Sequence, residues 1–134
     1  MLRLLPPLCW TGLIAYFGGG QWSGDHTSAW LGPLLRALLP PASPDVLAAV
    51  HLLIRKAGHV IEYAVLAGLW RRYLGGGVWA PLGLAVLTAS LDELRQSFAP
   101  GRVGSMADVL LDGTAAATAL GLIALRARLR GVAP

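Results

Sequence analysis

The run Arg55-Lys56-Ala57-Gly58-His59-Val60-Ile61-Glu62-Tyr63-Ala64-Val65-Leu66 sets polar side chains into the middle of an apolar stretch that extends from Val46 to Trp70. Strands are usually no longer than about ten residues, whereas a bilayer-spanning helix needs about 20, so the length and the Leu/Ala content predict a helix. At 100° per residue Arg55, Lys56, His59, Glu62 and Tyr63 fall within an arc of roughly 120°, one face of that helix. An ionisable group at the centre of a span costs about 2.5 to 3.5 kcal/mol on insertion scales and therefore faces a partner or a cavity. The stretch thus predicts both a membrane helix and neighbours that receive its polar stripe.

The rest of the chain supplies such neighbours. Three more apolar stretches, Leu4 to Phe17, Val78 to Phe98 and Val103 to Leu125, have the same character. The 134 residues are 55% hydrophobic and 13% charged, with mean hydropathy +0.60. Soluble domains are typically about 25% charged, which argues against a water-soluble enzyme with a charged shell, and the same apolar content rules out disorder. We expect one domain over residues 1–134, an all-α bundle of four transmembrane helices with an outward-facing polar pocket. Met1-Leu2-Arg3 before a short apolar run resembles the start of a signal peptide, although Gly18-Gly19-Gly20 is a poor cleavage site. The net charge of +4 does not mark a nucleic-acid binder, because the cations sit at the ends of apolar runs and not on a basic face with interleaved aromatics. The single cysteine, Cys9, permits neither an intrachain disulfide nor a cysteine metal site.

Cation placement orients the bundle. Arg3, Arg71, Arg72, Arg126, Arg128 and Arg130 fall on one side of a four-span topology, flanking the spans with no acid beside them. Arg36, Arg55, Lys56, Arg95 and Arg102 fall on the other, mostly among carboxylates. The first side is expected to be the cytoplasm, placing both termini there in a multi-pass cell-membrane protein. The segment Gly18 to Asp45, rich in Gly, Pro, Ser and Trp, is expected to be a loop with an amphipathic piece over Trp30 to Leu39 on the membrane surface. Trp22, Trp30, Trp70 and Trp79 lie near the expected interfaces. Gly113, Ala117 and Gly121 recur every four residues, a spacing that predicts close helix packing.

In this topology the polar sets of the second, third and fourth spans share the outer half of the membrane. The third span ends with Asp92, Glu93, Arg95 and Gln96; the fourth begins with Arg102, Ser105, Asp108 and Asp112, the last three within roughly 60° on the helical wheel. Candidate acid/base groups are His59, Glu62, Asp92 and Glu93, with Asp92 and Glu93 about 100° apart so that one of them faces a cavity. Candidate ligand-binding groups are Arg55, Lys56, Tyr63, Gln96, Arg102, Ser105, Asp108 and Asp112. Arg55, Lys56 and Arg102 suit an anionic head group, or else pair with the acids nearby. Ser105 reads as a helix N-cap and not as a nucleophile. His26 and His51 lack such polar company and read as loop or interfacial residues. A metal held by His59 and the carboxylates is the lesser reading: no His-Glu-x-x-His or cysteine pattern is present, and Arg55, Lys56, Arg95 and Arg102 oppose a further cation. No cofactor is indicated.

The string Arg55 to Leu66, followed by Asp92-Glu93-x-x-Gln96-x-Phe98-x-Pro100-Gly101-Arg102-x-Gly104-Ser105-x-x-Asp108-Val109, resembles the signature of the VanZ-like family. The resemblance implies a four-span bacterial membrane protein, and some members are linked to resistance to the glycopeptide teicoplanin. It implies no particular activity. The partner classes expected are a membrane lipid, a lipid-linked cell-wall precursor or lipoglycopeptide, or a second membrane protein, with either a binding module or an envelope hydrolase or transferase as the functional class.

Overall fold

Prolines open the first helix. Pro6 stands in its first turn, where a missing N–H has no helical acceptor to lose, and α1 runs Leu5–Phe17 to a stop at Gly18. The computed structural model describes residues 4–99 and 103–131. After a short 3₁₀ turn at Gly20–Trp22, α2 spans Gly24–Leu38, with the Ser23 hydroxyl accepting from the His26 amide and Asp25 in the first turn. The helix α3, Pro44–Leu74, starts from a second serine cap, Ser43, and carries Arg71 and Arg72 in its last turn, where cations suit the helix dipole. It ends in Gly75-Gly76-Gly77, all with positive φ, a conformation open to glycine at little steric cost. That turn reverses the chain into α4, Trp79–Gln96. A second reversal leads to α5, Met106–Leu129.

The described residues are all helical or irregular, with no strand among them. Four of the five helices coincide with the four apolar stretches; the fifth, α2, is longer than the amphipathic piece the sequence suggests. α3 and α5 run parallel, with α4 antiparallel against both and α1 laid on α3. Ala67, Ala85, Ala89 and Ala116 are fully buried at the centre with Ile14, Tyr63, Leu66 and Leu120. These small residues let the backbones approach closely.

The seam on α5 differs from the one expected. Gly113 does face α4, where an added Cβ would meet Val86 at 3.3 Å, but Gly121 has open space around it and Ala117 is exposed. Asp112, Ala116 and Leu120 are the buried stripe, one residue earlier and thus about 100° round the helix. Burial of Asp112 decides this, because turning the helix to bury the glycines would direct its carboxylate outward.

Leucines cover the exterior: Leu52 and Leu53 on α3, Leu87, Leu91 and Leu94 on α4, Leu110, Leu122 and Leu125 on α5 are all exposed. α5 is long and apolar enough to cross a membrane, whereas α1, though apolar, has 13 residues. α3 and α4 carry the charged cluster within their length.

Candidate functional site

Because α3 and α5 are parallel, their polar residues meet turn by turn. The Lys56 ammonium pairs with Asp108. One turn further on, His59 Nδ1 lies 3.3 Å from the Asp112 carboxylate. The next residue on this face of α3, Tyr63, is already in the apolar core at 1% exposure. The two rungs obey the i, i+3 and i, i+4 spacings that stack side chains along a helix.

α4 contributes from both flanks of its inner face. Asp92 accepts from Arg95 Nη2 at 2.6 Å and from Gln96 Nε2 at 2.6 Å. Glu93 turns instead to α5, where its Oε2 accepts the Ser105 amide at 2.7 Å. Ser105 stands at the N-cap position expected of it, but its hydroxyl makes no cap bond; Glu93 holds the backbone there instead. Donor atoms of His59, Glu93 and Asp112 all lie within 4.8 Å of one another. Glu93 Oε1 and Asp112 Oδ1 are buried without a hydrogen-bond partner among the described residues.

Two cavities flank this cluster and share Arg55, His59 and Gln96. The first, about 110 Å³, is completed by Glu62 and Asp92 with Phe17, Gly18, Trp22 and Thr27 from the amino-terminal half. The second, about 220 Å³, is completed by Lys56 and Asp108 with Leu52 and Val103. Asp92 thus lines a cavity, while Glu93 is buried beside His59 and Asp112. Arg102 lies outside the described residues.

Tyr63 departs from its expected role. It lines neither cavity, and its hydroxyl is buried with no partner among the described residues, because the helix face that is polar at Lys56 and His59 has turned into the core by residue 63. An unsatisfied buried hydroxyl costs about 1 to 3 kcal/mol. Tyr63→Phe is therefore expected to raise thermal stability in detergent by about 1 kcal/mol and to leave ligand binding unchanged; a loss of binding in this variant would return Tyr63 to the site.

The amino-terminal half contributes more than its composition indicates. A Cβ on Gly18 would come within 2.4 Å of Arg95 Nη2 and 2.7 Å of Asp92 Oδ1, so the end of α1 closes directly onto the Asp92–Arg95 pair. Trp10 Nε1 donates to the Glu62 carbonyl at 2.9 Å. His51 Nε2 lies 3.1 Å from Thr27 Oγ1, and His26 Nδ1 lies 3.0 Å from Ser23 Oγ and 3.1 Å from the Gly20 carbonyl. These two histidines tie residues 20–28 together and to α3. The signal available in sequence was the glycine run at 18–20, which marks a point of close backbone approach.

The VanZ/LLP1 family model matches residues 7–127, which includes every described element of the site. The chain belongs to the VanZ/LLP1 family. No curated protein and no solved structure matches it significantly. The match spans the facing polar residues of α3, α4 and the start of α5, among them Lys56, His59, Asp92, Glu93, Asp108 and Asp112.

Proposed function

We propose that this VanZ-like protein is a multi-pass membrane protein whose polar pocket opens to the outer side and holds the anionic head group of an amphiphile. The observation that carries the reading is Arg55. It lines both cavities and, among the described residues, no carboxylate pairs with it. Lys56 and Arg95, by contrast, are held by Asp108 and Asp92. The Arg55 guanidinium also packs on Gly24, where an added Cβ would lie 2.6 Å from Nη1. Gly24 begins α2, so a cation sits at the positive end of a helix dipole, and a bound anion would offset both. Exposed leucines around the bundle and the span-length α5 support a membrane setting.

The cavities are smaller than the roughly 300 to 1,000 Å³ of drug-sized sites, which supports a head group inside and an acyl or polyprenyl chain outside among the leucines. Phospholipids, lipid-linked wall precursors and the acidic part of a lipoglycopeptide have this form. Short-chain phosphatidylglycerol titrated into the detergent-solubilised protein is expected to bind at least tenfold more tightly than the matching phosphatidylcholine. Arg55→Ala should remove that preference, a change of about 1.4 kcal/mol or more, with little effect on stability. Equal affinity for the two lipids, or an unaltered preference in Arg55→Ala, would contradict the reading.

A second reading, a membrane hydrolase or transferase, draws on the His59–Asp112 contact with Glu93 beside it. A carboxylate that orients an imidazole is a common way to prepare a general base. Turnover of a labelled lipid-linked precursor, lost in His59→Ala, would favour it; binding without turnover favours the first.

A further inference from the structure

We infer that His59, Glu93 and Asp112 form a binding site for one divalent transition-metal ion of the Zn²⁺ or Mn²⁺ class. The three donors come from three helices, α3, α4 and α5, and their ligand atoms lie within 4.8 Å of one another. Donors held at about 2.1 Å from one ion can be no more than about 4.2 Å apart, so the cluster needs to contract by about half an ångström. Two carboxylates supply the charge that balances a dication, and the imidazole selects against Mg²⁺ and Ca²⁺, which take oxygen donors.

Two features besides proximity point to a ligand. Glu93 is 5% exposed and Asp112 1%; Glu93 Oε1 is buried with no hydrogen-bond partner among the described residues, and Asp112 Oδ1, buried too, lies 3.3 Å from His59 Nδ1. Native proteins seldom leave an oxygen like that of Glu93 unmatched, and an ion is one of the recognised explanations. Two of the four cations that argue against a metal in the bare sequence are also engaged elsewhere: Lys56 with Asp108 and Arg95 with Asp92.

Three protein ligands leave coordination positions open, the pattern of sites that act on a bound molecule and not of purely structural ones. His59 lines both cavities, so those positions are within reach of what the cavities hold. Ion binding does not depend on the head-group reading and is measured with no lipid added.

The test is Mn²⁺ titration of the purified full-length protein, carrying no histidine tag and pre-treated with chelator, followed by electron paramagnetic resonance, with Zn²⁺ as competitor. One saturable Mn²⁺ per chain, displaced by Zn²⁺, is expected. Its affinity should fall at least tenfold in Glu93→Gln and in His59→Gln, and stay within threefold of wild type in Asp45→Asn, at the first turn of α3. Glu93→Gln is near-isosteric, and it decides the matter if His59→Gln does not fold. No saturable ion in the wild type, or an affinity unmoved by Glu93→Gln, overturns the site.

Discussion

Asp112→Ala is expected to lower stability in detergent by about 3 to 5 kcal/mol, the largest single effect in the molecule. Asp112 is 1% exposed and faces His59, whose side chain is 16% exposed. Taking two ionisable groups out of lipid or water is costly in itself, so the intact pair adds little net stability; removing one partner leaves the other uncompensated, and that is where the 3 to 5 kcal/mol arises. Loss of the carboxylate also opens a void between α3 and α5. The double change His59→Ala/Asp112→Ala should therefore cost less than the two single changes combined, as coupled neighbours do. Leu91→Ala, on the exposed face of α4, is the control and should change stability by about 0.5 kcal/mol or less. Thermal unfolding followed by intrinsic tryptophan fluorescence reads all four variants. A neutral Asp112→Ala, or strictly additive changes, would mean that His59 and Asp112 do not meet.

Gly104→Ala is expected to cost about 3 kcal/mol, at the upper end of the overpacking range. A methyl there would lie 2.4 Å from the Glu93 carbonyl oxygen and 3.1 Å from Ser97 Cβ. The first of these is backbone in the last full turn of α4, so nothing flexible can yield, and the next residue is the one whose amide Glu93 holds. Displacing it frees the start of α5 and takes Asp108 with it. Gly24→Ala supplies the contrast: its new methyl meets the tip of the Arg55 side chain, which can swing aside, so stability should hardly change while head-group affinity falls. Equal behaviour of the two variants in unfolding and in lipid binding would show that neither approach is as close as described.

Much of this arrangement was legible in the residues, and for identifiable reasons. The four apolar stretches coincide with α1, α3, α4 and α5 because helix boundaries here are written in prolines, serine caps and glycines. The meeting of Lys56 with Asp108 and of His59 with Asp112 follows from helical spacing once α3 and α5 are parallel, which two short reversals enforce. Three things were not legible. The rotation of α5 turned on whether Asp112 or the glycine stripe faces inward, and a list of small residues does not settle that contest. The depth at which α3 passes from polar site to apolar core is set by the packing of α1, α4 and α5 around Tyr63, so the residue reads as part of the stripe when only its own helix is considered. The contribution of residues 17–28 came from backbone approach at Gly18 and Gly24, which leaves almost no side-chain pattern.

The placement of this pocket on the outer side of a four-span membrane protein is tested most directly by reporter fusion in bacteria. Alkaline phosphatase, active only when exported, joined after Asp45 should be active, and joined after Arg72 should be inactive, because in the proposed topology α3 carries the chain from the outer to the cytoplasmic side between those points. The reverse pattern, or equal activity at both points, would contradict the orientation and with it a head-group pocket facing outward.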